Sequence, residues 1–145
     1  MIRPAAIEDL DRVVPLCRHF EQLSPRLRFE PRVFLAIWSA FLGSGQGAIF
    51  LLEDAGQVVG AIAGVAYPEP YAGERVCQEF FWWTEPSHRG RGLALYKALQ
   101  AWAREQQCVE LRMGQLTDVL AGKLSRFFQR EGFTAIEVLY SKRMV

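Results

Sequence analysis

The sequence predicts an α/β (α+β) chain, and three observations carry that prediction. Apolar residues recur at helical spacing in several segments, other segments are short apolar or aromatic runs bounded by turn residues, and the two kinds interleave along the chain. At 145 residues, half of them hydrophobic, the chain is about one domain long and supports one sizeable core, so a single domain over residues 1–145 is expected. It contains no internal repeat, low-complexity tract or linker that would divide it.

Each element has its own signal. Ile2 and Arg3 open a short strand. Ile7, Leu10, Val13, Val14 and Cys17 then fall on one helical face, with Glu8 and Asp9 near the helix start, where they complement its dipole. A break follows at Ser24-Pro25. Phe34, Ile37, Trp38 and Phe41 mark a second helix, expected to end before Gly43. Residues 48–53 and 58–66 are apolar runs joined by Asp54-Ala55-Gly56-Gln57, whose turn chemistry is that of a hairpin. The stretch from Tyr67 to Gly73 holds two prolines and reads as a loop. Val76 to Thr84 is an aromatic strand, Leu93 to Glu105 a helix and Val109 to Met113 a strand. Val119 to Arg130 reads as a helix and Ala135 to Met144 as a closing strand.

Between the aromatic strand and the helix after it lies the most specific segment, Glu85-Pro86-Ser87-His88-Arg89-Gly90-Arg91-Gly92-Leu93-Ala94. A turn rich in glycine and arginine that opens a helix offers close backbone approach and unpaired N–H groups to an anion. Phosphate is the expected ligand. The dinucleotide fingerprint is excluded, because Leu95 stands where its third glycine would be and the following strand has Glu110 near its start, not an acid at its end. With no Gly-Lys-Ser/Thr the turn is not a P-loop either.

Arg89, Gly92 and Ala94 fit the Q/R-x-x-G-x-G/A pattern of the GNAT superfamily of N-acetyltransferases, and Pro86 and Gly90 fit its surroundings. Phe128-Gln129-Arg130-Glu131-Gly132-Phe133 resembles that family's F-Y-E-K-x-G-F segment, and the element order matches over nearly the whole chain. The resemblance implies a mixed, mostly antiparallel sheet with helices on both faces. It also implies acetyl-CoA as co-substrate, its pyrophosphate on the backbone of Arg89, Gly90, Arg91, Gly92, Leu93 and Ala94, with the Arg89 and Arg91 side chains adding charge. The aromatic strand would splay from its neighbour, and Trp82 and Thr84 would supply backbone groups to the pantetheine arm and to the thioester carbonyl.

Glu79 is the carboxylate with the clearest chemical promise. It interrupts an otherwise apolar strand, and burial would raise its pKa toward neutrality and suit it to take a proton from an amine. The alternative is a structural pair with Arg75 or Arg112. The family's general acid is a tyrosine, but Phe128 stands in its place, and Ala121 lies near the position of an asparagine that is often present. Tyr140, on the expected last strand, is the substitute acid, with Ser125 a weaker one. The implied reaction is acetyl transfer to a primary amine; the alternative is an acyl-CoA-binding or protein-interaction module that kept the fold and lost the chemistry.

Composition limits the other functions. A formal net charge of +1 argues against nucleic acid and anionic membrane as partners, and no apolar run is long enough to span a bilayer. A cytoplasmic chain is expected, and a homodimer is compatible with the fold. Cys17, Cys77 and Cys108 are scattered, His19 and His88 are isolated, and neither a metal site nor a disulfide framework is expected. The resemblance implies that the acceptor meets the segments 21–29 and 67–75, which mix Glu21, Glu69 and Glu74 with Arg26, Arg28 and Arg75, plus Tyr67 and Tyr71; no acceptor is singled out by them.

Overall fold

The computed structural model describes residues 1–117 and 121–145. It divides into two compact units, Met1–Gly114 and Gln115–Val145. The first unit is a five-stranded sheet with three helices. In chain order it runs β1 (Ile2–Pro4), α1 (Leu10–Glu21), α2 (Pro31–Ser44), β2 (Gly47–Asp54), β3 (Gln57–Pro68), β4 (Arg75–Thr84), α3 (Leu93–Glu105) and β5 (Glu110–Arg112). The second unit holds α4, described over Ala121–Arg130; the expected start of this helix at Val119 lies outside the described residues.

The strands lie in sequence order, β1-β2-β3-β4-β5. The first four pair antiparallel, and β5 joins β4 in parallel. The mixed, mostly antiparallel sheet is therefore as expected. A two-residue turn closes the β2–β3 hairpin, Ala55 and Gly56 both having positive φ (49° and 77°), the geometry that matches strand twist.

Strand alternation assigns the helices to opposite faces. Ile49, Leu51, Ala61, Ala63, Val65, Phe81 and Trp83 form one core cluster with Leu10, Val13, Leu16 and Cys17 of α1 and Trp38 of α2. Gly60 and Gly64, on the other face of β3, lie against Leu95 and Leu99 of α3. Covered on both sides, β3 is buried without interruption from Val59 to Ala66. This explains why its sequence lacks alternation and is dominated by small residues.

Some boundaries differ from expectation. α2 starts at Pro31, where a proline's missing N–H costs nothing, its first turn capped by the Glu30 carboxylate, and it runs on through Gly43 to Ser44. β3 extends through Tyr67 and Pro68, which pair with Val76 and Arg75, so the connecting loop is shorter than its prolines suggest. A proline is tolerated there because it ends its strand. The largest difference is at the C-terminal end. Residues 135–144, expected as a closing strand, form no strand. Ile136, Val138, Leu139, Tyr140 and Met144 are 67%, 72%, 84%, 94% and 83% exposed. β-propensity records how side chains fit a half-buried pleated surface, and this segment has no such surface around its side chains.

A charge cluster fastens the first unit. Arg3 on β1 donates to both oxygens of Asp9 (2.7 and 2.8 Å) and to Glu53 on β2 (2.7 Å). Arg12 on α1 reaches Asp9 (3.2 Å), Glu53 (3.0 Å) and the Gly56 carbonyl (3.1 Å). Asp9 also accepts from the Ala6 amide (2.8 Å). Hydrogen bonding from Arg3 holds its pKa well below the usual carboxylate range. A carboxylate with a depressed native pKa stabilises the fold above its unfolded pKa and loses that contribution as pH falls through the native value. Asp9→Asn should therefore lower the thermal unfolding midpoint at neutral pH, and the gap from the parent should narrow in acid, as read by circular dichroism melts across pH.

Candidate functional site

The site is built where β4 and β5 part. Their parallel ladder pairs Val76, Cys77 and Gln78 with Glu110, Leu111 and Arg112, and β5 then ends while β4 continues to Thr84. Glu85 N–H donates to the Val59 carbonyl, so the odd-numbered end of β4 faces β3. By alternation, the backbone groups of Trp82 and Thr84 face the side that β5 no longer covers. β4 thus runs on beyond the end of its ladder with β5, and these two residues lie in that continuation.

Glu79 stands at the vertex, the residue after the last paired one. Its carboxylate accepts a hydrogen bond from the Gly114 amide (3.0 Å). Burial pushes its pKa up to about 7, with the Gly114 N–H opposing that shift. The structural alternative, a pair with Arg75 or Arg112, does not form: Arg75 donates to the Gln106 carbonyl (3.0 Å) and Arg112 pairs with Glu110 (2.7 Å). A carboxylate poised near neutrality beside an open strand edge is suited to accept a proton.

The turn after β4 combines two uses of glycine. Gly90 has φ +95°, with open space where a Cβ would stand. At Gly92 a Cβ would lie 2.6 Å from Thr84 Oγ1, so this glycine lets the turn and the start of α3 close onto the strand. The approach that requires Gly92 is to protein, not to a ligand. The amides of Arg89, Arg91 and Ala94 are spent within the turn, on Pro86, His88 and Arg91 carbonyls. Among the described residues no backbone carbonyl takes the amides of Gly90, Gly92 and Leu93. An open cleft of ≈ 370 Å³ borders Gly90 and Leu93, lined also by Arg91, Ala94, Lys97, Leu52, Ile2 and Met1. Three amides at the N-terminus of a 13-residue helix, with two cations beside them, fit a phosphate-bearing group.

The two arginines of the turn have separate tasks. Arg89 Nε donates to the Thr84 carbonyl (3.0 Å), and its guanidinium lies 4.6 Å from the centre of the Trp83 ring, fixing the turn to the end of β4. Arg91 lies 3.5 Å from Asp54 on the β2–β3 hairpin. Asp54 also bonds His88 Nε2 (2.9 Å), whose Nδ1 meets Ser87 Oγ (2.8 Å). His19 on α1 meets Glu85 at 2.6 Å. Neither histidine is isolated in space, and both contacts join residues far apart in sequence.

The remaining candidates lie in the second unit. Phe128, in the position of the family's tyrosine, packs against Phe127 and Phe133, with ring centres 5.6 and 5.3 Å apart. Ser125 Oγ donates to Gln115 (3.1 Å). Tyr140 is 94% exposed in a segment without strand pairing. The cysteines are free thiols, and burial pushes those of Cys17 and Cys77 up to about 12, far from reactive thiolates.

Two consequences are measurable. A carboxyl whose native pKa exceeds its unfolded one binds more protons when folded, so its contribution to stability declines as pH rises from the unfolded value through about 7. Glu79→Gln should therefore melt higher than the parent at pH 8, with the difference vanishing near pH 5. Gly92→Ala should cost ~1–3 kcal/mol in denaturant titration by overpacking against Thr84, whereas Gly114→Ala, whose Cβ would make only an ordinary 3.5 Å contact with Glu79, should cost far less.

Comparison with known proteins gives this geometry a family. The family model described as "Acetyltransferase (GNAT) family" matches residues 14–133. No curated protein sequence matches the chain significantly. Among solved structures, a ribosomal-protein-alanine N-acetyltransferase from Brucella melitensis biovar Abortus 2308 superposes with TM-score 0.75 at 20% identity, covering 99% of each chain. The aminoglycoside N-acetyltransferase AAC(6')-Iy in complex with CoA gives 0.79 at 20% identity, over 100% of this chain and 95% of that one. A predicted acetyltransferase from Clostridium acetobutylicum, solved with acetyl-CoA, gives 0.76 at 17% identity, over 99% and 96%. With a family model spanning most of its length and a sheet that parts beside a glycine-bearing turn, this chain belongs to the GNAT family of acetyltransferases.

Proposed function

We propose that the chain transfers the acetyl group of acetyl-CoA directly to a primary amine. The observation that carries this reading is the position of Glu79: a carboxyl with a pKa near 7 at the point where β4 leaves β5, on the strand that leads to the anion-binding turn. The amides of Gly90, Gly92 and Leu93, with Arg91 and Lys97, would hold the phosphates. Acetyl-CoA supplies an acetyl group activated as a thioester. Glu79, or a water that it holds, takes the proton as the amine nitrogen bonds the carbonyl carbon. β4 N–H groups facing the open edge, those of Trp82 and Thr84, stabilise the negative charge that develops on the carbonyl oxygen. The C–S bond then breaks and its electron pair leaves on sulfur, a fair leaving group without a dedicated acid. Holding both reactants in one cleft supplies much of the remaining acceleration.

The rival reading, an acyl-CoA-binding module without turnover, draws on Phe128, which has no proton to give. Turnover separates the two. At a hundredfold excess over its dissociation constant, acetyl-CoA should add about 2.7 kcal/mol of stability, and Gly90→Glu should abolish the rise in melting temperature. With a competent amine, Glu79→Gln should reduce kcat by ~10²–10⁴ while leaving acetyl-CoA affinity intact, and should remove a limb with apparent pKa near 7 from the pH–rate profile. Cofactor binding without CoA release from any amine would establish the module instead.

A further inference from the structure

Beside Glu79 the sheet presents a surface whose chemistry the reading above does not use. The β3–β4 register slips between Ala63 and Gly64: Ala63 faces Phe81, Gly64 faces Glu79, and Phe80 is the extra residue. Such a bulge re-aims a side chain. The Phe80 ring is 61% exposed and lies 6.5 Å, edge on, from that of Trp38 on α2. Trp38 in turn contacts Phe41 (5.3 Å) and Phe34 (6.4 Å), and Phe34 contacts Phe29 (5.4 Å). Phe80 is thus the exposed end of a row of rings. One exposed phenylalanine is ordinary on a protein surface; this one is raised by a bulge and follows Glu79 directly in the chain.

The charges around it point the same way. Of the carboxylates that could attract a cationic acceptor, Glu21 accepts from the Phe29 amide (2.6 Å), Glu69 from the Ala72 amide, and Glu85 is held by His19, which leaves Glu74 exposed and without a side-chain partner among the described residues. Arg18 lies 5.8 Å from the Phe29 ring and adds positive charge to the aromatic row. A polycation would meet few carboxylates not already bonded within the protein, whereas an apolar group would cover exposed ring surface.

We infer that the acceptor is a primary amine bearing an aryl or alkyl group, and that Phe80, backed by Trp38, sets this specificity. The inference rests on the transferase reading. Its test is acetyl-CoA-dependent CoA release with phenethylamine, hexylamine, spermidine and a neamine-type aminoglycoside, alongside calorimetric titration of acetyl-CoA. Phenethylamine and hexylamine should turn over in preference to the polycations. Phe80→Ala should raise the KM for phenethylamine about tenfold, with the KM for acetyl-CoA unchanged, and Phe80→Leu should restore most of the loss. An exposed ring can be removed without loss of the fold, so the variant is informative. Preference for spermidine or the aminoglycoside, an unchanged phenethylamine KM in Phe80→Ala, or no transfer to phenethylamine or hexylamine by a chain that binds acetyl-CoA would overturn the inference. Failure to bind acetyl-CoA is a different result: it removes the transferase reading itself, and this inference with it.

Discussion

The functional architecture depends on one interrupted backbone ladder. Two parallel strands that stop pairing leave polar groups facing a gap, and such groups are costly unless something else bonds them. Here side chains take over where the ladder ends. The Gln78 side-chain amide donates to the Glu79 carbonyl (3.0 Å), and the Glu79 carboxylate receives the Gly114 amide. Farther along β4, Arg89 reaches back to the Thr84 carbonyl. A gap between strands is thereby compatible with a stable sheet, and the carboxylate at its vertex bonds backbone that the ladder no longer reaches. The elevated pKa follows, because one amide does not offset the burial.

The packing around the gap has the opposite character. β3, next to β4, is buried on both faces and built largely from alanine, glycine and valine, so α1 and α3 approach it closely from the two sides. Gly64 admits Leu99, and Gly60 lies against Leu95 and Thr84. Because β3 is clamped in this way, β4 can bulge at Phe80 and part from β5 without losing its place in the sheet. Rigidity in one strand permits irregularity in the next.

Much of this was legible in the sequence because it is local. Periodicity located α1, α2 and α3, turn chemistry located the β2–β3 hairpin, and the Arg89–Ala94 segment located the turn that opens a helix. What was not legible depends on pairing at a distance. The alternation of Ile136, Val138 and Tyr140 reads as a strand, but a strand is a property of two partners, and residues 135–144 join no ladder. The bulge at Phe80 is a mismatch of register between β3 and β4, and no residue type announces it. Glu79 was recognisable as an odd carboxylate in an apolar run, yet its partner is a backbone amide 35 positions away. The pairs His19–Glu85 and Asp54–His88 likewise exist only once the chain has folded. Arg89, which the motif assigns to phosphate, is engaged with Thr84 and Trp83.

The contact of Asp54 with His88 and Arg91 has a consequence for how the molecule can vary. Asp54 is the last residue of β2 before a two-residue turn, so its reach is set by the register of the hairpin. The hairpin acts as a gauge block against which the Arg89–Ala94 turn is set. Lengthening it by a single residue would leave the core untouched and yet withdraw that reference, so two chains of this fold with the same turn sequence would hold the same group at different heights if their hairpins differed. Transplanting the turn alone into another scaffold would carry over the amides without the stop that positions them.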